Sequence, residues 1–139
     1  MSTISPGAGA SPTSLWAGRI LSALVVLFML FDTTIHLLKP QVVVDAFNRL
    51  GYSPDLSRPI ALVELLCVVL CAIPRSAAWG AILLTGYLGG AVATQLRAGS
   101  PFVGETLFPV YVGILLWGGL VLRDRRVRAL LLPGRAARS

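Results

Sequence analysis

Charge is scarce in this chain, and so are the residue types from which soluble active sites are usually assembled. Only 13% of the residues are Asp, Glu, Lys or Arg against 55% hydrophobic, and the mean hydropathy is +0.79. A single domain's length, 139 residues, with so few polar side chains lacks the material to coat a water-exposed surface, which excludes an ordinary soluble fold. Histidine occurs once. Metal sites usually take three or four ligands drawn from His, Cys, Asp and Glu; one imidazole with two carboxylates is a possible but incomplete set, and no metal is assigned. Cysteine occurs twice, Cys67 and Cys71, one helical turn apart inside an apolar run. No disulfide framework follows from such a pair, and without nearby positive charge it reads as small packing residues rather than redox thiols. Internal repeats are lacking too, and the glycines of the third apolar run fail as a nucleotide loop because no strand precedes them.

What the chain does have is four apolar runs. Residues 77–96 carry no formal charge over 20 residues, and at ~1.5 Å per residue they reach about 30 Å, the thickness of a bilayer's hydrocarbon core. Three further runs follow at 15–38, 59–73 and 106–122, the second opened by Ser57 as N-cap. The expected fold is all-α, an integral membrane four-helix bundle over residues 15–122. Arg19 ahead of the first run suits a secretory signal, but no small-residue cleavage pattern follows and hydrophobicity continues past Asp32, so this run is read as a retained helix. Residues 1–14, rich in Ser, Gly, Pro and Ala without hydrophobic period, are expected to form a mobile tail. Over residues 40–50, Pro40 starts and Gly51 stops a short amphipathic helix. It has Val44, Phe47 and Leu50 on one side and Gln41, Asp45, Asn48 and Arg49 on the other, and it lies on the headgroups or roofs the bundle.

Arginine placement sets an orientation. The tail over residues 123–139 carries Arg123, Arg125, Arg126, Arg128, Arg135 and Arg138, whereas the loops at the opposite end mix their basic residues with Asp45, Asp55 and Glu105. By the excess of Lys and Arg on cytoplasmic segments, the C-terminus is cytoplasmic, and with four spans the N-terminus is as well, in agreement with Arg19 and Arg75. The expected location is the inner membrane, crossed several times. The net charge of +6 then reflects topology and lipid headgroups rather than nucleic acid. In "RDRRVRALLLP" the arginines are expected to face acidic lipid, with Val127, Leu130 and Leu131 dipped inward. Gly86, Gly90 and Thr94, with Gly89 alongside, form a small-residue stripe suited to close packing of another helix.

The polar residues within the runs collect at one level. Asp32 and His36 stand four apart on one face of the first helix, and Glu64 comes about a turn and a half into the second, which runs the other way. Gln95 and Arg97 end the third helix at the same level, and Glu105 and Thr106 open the fourth. Ionisable groups placed mid-membrane cost roughly 2.5–3.5 kcal/mol each, so they are expected to point inward, with Arg97 reaching down toward Glu64 or Asp32. Asp32, His36, Glu64, Gln95 and Arg97 are therefore the ligand-binding or proton-handling candidates. No residue is assigned a catalytic role, and no motif demands a cofactor. An apolar slot with protonatable groups beside each carbonyl oxygen suits a quinone headgroup, and Asp32, His36, Glu64 and Gln95 could provide one. Two other readings are an accessory or scaffold subunit that docks a redox partner or a second copy, and a small carrier or lipid-binding protein.

"IPRSAAWGAILLTGYLGGAVATQLRAGSPF" (Ile73 to Phe102) and "FPVYVGILLWGGLVLRDRRVRALLLP" (Phe108 to Pro133) resemble the DoxX-like family of small bacterial membrane proteins, as do "FDTTIHLLKP" and "RLGY". The resemblance covers nearly all of residues 15–133 and implies four spans. The wider group includes membrane subunits of a thiosulfate:quinone oxidoreductase and of a membrane redox complex, which implies a quinone-linked or redox-supporting role. In the family pattern the position of Gln95 is commonly histidine, followed by Leu or Val and the arginine here numbered Arg97; this chain departs at Gln95, and its imidazole stands instead at His36.

Overall fold

A computed structural model describes residues 11–132. Residues 1–10 of the tail expected over 1–14, together with Arg135 and Arg138, lie outside the described residues. Every regular element among the described residues is helical, which makes the fold all-α. The first helix, α1 (Pro12–Leu38), begins at Pro12 rather than at Leu15. Hydropathy misses that turn because capping, not burial, makes it: the Ser11 side chain accepts from the Ser14 N–H at 3.2 Å, and Pro12 occupies a position where its missing N–H is harmless. The helix ends where Lys39 turns left-handed at φ 52°, its N–H bonded to the Ile35 carbonyl at 3.0 Å, ahead of Pro40.

A short amphipathic helix follows, α2 (Gln41–Arg49), burying Val43 and Phe47, and Gly51 turns the chain at φ 77°. A 3-10 turn, Pro54–Leu56, leads into α3 (Ser57–Ala72). Ser53 caps the 3-10 turn, its side chain accepting from the Asp55 N–H, whereas α3 follows from Leu56 without a side-chain cap, so Ser57 is not the cap the sequence suggested. Ser57 is fully buried and already helical, and its hydroxyl donates 2.7 Å to the His36 carbonyl, tying the start of α3 to the end of α1. After a tight turn come α4 (Ala77–Arg97), a single wide π turn (Phe102–Thr106), and α5 (Phe108–Arg123). A last short helix, α6 (Arg125–Leu131), is capped by Asp124.

Three stretches are long and apolar enough to cross a membrane: α1, α4, and the turn plus α5 taken together as Phe102–Arg123. At 16 residues α3 reaches ~24 Å by the helical rise, somewhat less than a full hydrocarbon core. α1 packs on α5 and α3, and α4 on α3 and α5, around a core containing Val25, Met29, Val68, Leu84, Val112, Leu116 and Leu120. Cys67 and Cys71 are free thiols within that core, as their spacing suggested.

The tight contacts gather where α1 begins and α5 ends. A Cβ added at Gly18 would stand 2.8 Å from the Gly119 carbonyl oxygen and from the Arg123 nitrogen. One added at Gly119 would stand 2.8 Å from Ser22 Oγ, and one at Gly80 would fall on the Cys71 backbone nitrogen. The expected packing stripe behaves differently. Gly86, Gly89 and Gly90 have nothing within 4 Å of where a Cβ would be, so no helix among the described residues closes on them. Spacing identified a face narrow enough for contact, but the neighbours that use such a face sit against Gly18, Gly80 and Gly119 instead.

The basic end also departs from expectation. Arg128 turns inward and donates to the Val121 carbonyl at 3.0 Å and the Leu122 carbonyl at 3.0 Å, the free acceptors at the end of α5, rather than facing lipid. Val127 is buried as expected, whereas Leu130 and Leu131 are exposed. Gly80→Val is expected to lower stability in detergent by at least ~1–3 kcal/mol through overpacking, while Gly86→Ala leaves the thermal unfolding midpoint no lower. Equal midpoints for the two variants would show that the Gly80 contact does not govern the packing.

Candidate ligand-binding site

Away from the glycine contacts the helices diverge, and at that end the polar side chains meet. Glu64 lies on the face of α3 that also carries Ala61, Cys67, Val68 and Cys71, so the helix buries it completely. His36 Nδ1 is 3.3 Å from Asp32 Oδ2 and 4.0 Å from Glu64 Oε2, and it also lies 3.0 Å from the Asp32 carbonyl oxygen one turn earlier on α1. Tyr87, from α4, donates its hydroxyl to Glu64 Oε2 at 3.1 Å. Three helices therefore join through one carboxylate. Glu64 Oε1 and Thr33 Oγ1 are buried with no hydrogen-bond partner among the described residues, an arrangement that native interiors rarely leave unexplained.

Asp32, His36 and Tyr87 form part of the wall of a cavity of about 530 Å³ between α1, α4 and α5. Phe28, Met29, Leu88, Phe108 and Val112 supply its apolar lining, and the bare backbone at Gly86 and Gly90 forms one side. α2 supplies Phe47 and Leu50. The Phe47 ring meets the imidazole of His36 edge-on, with centroids 5.9 Å apart and planes at 66°. Ion pairs pin this region from outside. Arg49 binds Glu105 through two hydrogen bonds, at 2.9 and 3.3 Å, and Lys39 Nζ lies 2.8 Å from Asp55 Oδ1. The Lys39 ammonium holds the Asp55 carboxyl below the usual carboxylate range.

The five sequence candidates thus divide. Asp32, His36 and Glu64 come together. Gln95 reaches the cavity wall, but its carbonyl oxygen accepts from the Ser100 hydroxyl at 2.6 Å. Arg97 does not reach down to Glu64 or Asp32. Its guanidinium donates to the Leu50 carbonyl at 3.2 Å and lies 5.5 Å from the centre of the Tyr52 ring. Contact with an unpaired carbonyl and an aromatic face at the helix end satisfies the cation without drawing it into the apolar interior. Thr94 lines the cavity, and its hydroxyl lies 3.3 Å from that of Tyr52.

Sequence reasoning missed Tyr87. Its signal was present, because a phenol in the middle of an apolar run must find a partner for its hydroxyl, and Glu64 is the partner.

A sequence model of the DoxX-like family matches residues 20–119. The chain belongs to the DoxX-like family. That match runs from the first turns of α1 to near the end of α5 and includes Asp32, His36, Glu64 and Tyr87. Family and apolar helices together mark this DoxX-like chain as a membrane protein. No curated protein and no solved structure matches it.

In this DoxX-like chain Tyr87→Phe is expected to destabilise the fold by ~1–3 kcal/mol, since it strands Glu64 Oε2 without its donor. Tyr111→Phe, on an exposed hydroxyl, should change thermal unfolding in detergent little, and equal losses for the two would deny the Tyr87–Glu64 contact any special weight.

Proposed function

We propose that this DoxX-like protein crosses the bacterial inner membrane four times, with both termini cytoplasmic. It takes a quinone or a similar small amphipath into the cavity beneath α2 and supports membrane redox chemistry. The observation that carries this reading is the cavity itself. Its volume of about 530 Å³ lies within the range typical of small-molecule sites, and its largely apolar lining carries polar groups at Asp32, His36 and Tyr87 and at Tyr52, Thr94 and Gln95. A flat ring can lie against the bare backbone at Gly86 and Gly90, where a larger side chain would fill the space. With His36 Nδ1 held by Asp32, Nε2 is the ring nitrogen left for a ligand, accepting from a hydroxyl when the imidazole is neutral and donating to a carbonyl when it is protonated. Glu64, one layer behind, accepts from Tyr87 of the cavity wall, and a proton can be passed through that hydrogen bond.

Orientation is supported by Arg123, Arg125, Arg126 and Arg128 gathering at the end where α1 starts, and by Trp16 and Trp79, exposed near the starts of α1 and α4 at that same end. Tryptophan favours the membrane–water boundary and arginine the cytoplasmic side. In this arrangement α3 completes the fourth span, and α2 covers the cavity on the periplasmic face.

A second reading, an accessory subunit that docks a partner or a second copy, is favoured by another feature. An apolar groove of about 380 Å³ between α4 and α5 is lined by Gly89, Gly113, Ile114 and Trp117.

In lipid nanodiscs, a short-chain menaquinone analogue at ~100 times its dissociation constant is expected to raise thermal stability by ~2.7 kcal/mol. Asp32→Asn, His36→Ala and Gly90→Leu, which fills the cavity, should each abolish the rise. Stabilisation that persists in Gly90→Leu would place the ligand elsewhere. For topology, a C-terminal green fluorescent protein fusion should fluoresce and a C-terminal alkaline phosphatase fusion should be inactive; the reverse pattern would invert the proposed orientation.

A further inference from the structure

Asp32, His36 and Glu64 each offer one donor atom, and these three atoms all lie within 4.8 Å of one another. The residues come from two helices, and no ligand-spacing motif links them along the chain. We propose that they bind one first-row divalent cation, of the zinc or manganese class, at the polar end of the cavity.

The geometry is close to what such an ion requires. Donors held at ~2.0–2.2 Å from a metal stand about 3–3.6 Å apart around it. His36 Nδ1 already lies 3.3 Å from Asp32 Oδ2 and 4.0 Å from Glu64 Oε2. Closing the remaining gaps takes about 1 Å of side-chain adjustment to reach ordinary metal–ligand lengths, and Asp32, whose side chain is 37% exposed, has room to move.

Two independent observations point to a missing cation. The first is Glu64 Oε1, on a side chain that is 0% exposed, with no hydrogen-bond partner among the described residues. An unpaired acceptor there carries a desolvation penalty that a metal bond removes. The second is the charge inventory. Two carboxylates meet one imidazole, and the basic side chains that could have joined them are bonded elsewhere: Lys39 to Asp55, Arg49 to Glu105, and Arg97 to the Leu50 carbonyl. In a low-dielectric interior such a cluster calls for a compensating positive charge, and a divalent ion supplies it.

Binding replaces the proton on His36 Nδ1, which otherwise donates to Asp32, so metal uptake releases a proton when that nitrogen is protonated. Tyr87 then acts from behind, its hydroxyl bonded to Glu64 Oε2 and holding that carboxylate in place. A donor set of one nitrogen and two oxygens suits zinc or manganese better than the soft-ligand metals. The remaining coordination positions would face the cavity, where Asp32 and His36 form the wall. This cation site shares residues with the proposed amphipath site but does not rest on it, because metal binding is measured with no organic ligand present.

The test is calorimetric titration of the full chain in detergent, stripped with EDTA and dialysed, using Zn²⁺ alone and then Mn²⁺ alone. One equivalent is expected to bind with a dissociation constant in the micromolar range or tighter, weakened at least tenfold by the near-isosteric Glu64→Gln and by Asp32→Asn. Asp45→Asn, on an exposed carboxylate, should leave it unchanged. No saturable binding below ~1 mM would overturn the proposal, as would equal affinity in Glu64→Gln, since surface carboxylates would then be responsible. Should the variants unfold, X-ray absorption on the Zn²⁺-loaded native chain decides: one imidazole in a shell of nitrogen and oxygen supports the site, and a shell without imidazole refutes it.

Discussion

The buried polar cluster that joins α1, α3 and α4 is organised around Glu64. A carboxylate cannot be left alone among apolar helices, because an ionised group without partners would be strongly destabilising there. Its surroundings answer that constraint from two directions. Tyr87 of α4 donates to one oxygen, and His36 of α1 comes within 4.0 Å of the same atom, with Asp32 behind the imidazole. The carboxylate of α3 thereby fixes the rotation of two neighbouring helices about their axes. Ser57, about two turns earlier on α3, fixes their height by holding the His36 carbonyl.

The two ends of the molecule use opposite solutions to helix packing. Where α1 starts and α5 finishes, Gly18, Gly119 and Gly80 bring backbones into direct contact, and Arg123 and Arg128 satisfy the carbonyls left free at helix ends. Little space remains there for anything else. At the far end, Phe28, Phe108 and Phe47 hold the elements apart, and the glycines that could have closed the gap have no neighbour. A cavity results, with a carboxylate–imidazole pair on one side and bare backbone on the other. α2 lies over it, its apolar face inward and Arg49 clamped to Glu105, so a nine-residue helix too short to be stable alone is held by its contacts.

Much of this was legible in the chain. Apolar runs at 15–38 and 77–96 led directly to α1 and α4, and the alternation of apolar and polar residues after Pro40 led to α2. Asp32, His36 and Glu64 could be brought to one level by counting helical rise. Position around each axis was harder. Four-residue spacing marked Gly86 and Gly90 as a narrow face, yet whether a narrow face receives a helix or borders a cavity depends on the tilt between helices, which local sequence does not encode. Arg97 raised the same difficulty in another form: a long cation can reach several partners, and the carbonyl of Leu50 and the ring of Tyr52 lie closer to water than Glu64 does.

The sequence by itself determined the solvent and the element type. Lipid-like composition and uninterrupted apolar runs leave helices as the economical way to satisfy backbone hydrogen bonds, whatever the tertiary arrangement. It also determined that the few ionisable groups within those runs could not be scattered at random. Only the tertiary structure decided that Glu64 meets Tyr87 as well as His36, and that the close contacts and the cavity occupy opposite ends. These outcomes depend on how side chains from separate helices fill a shared volume, and that volume exists only once the helices have packed.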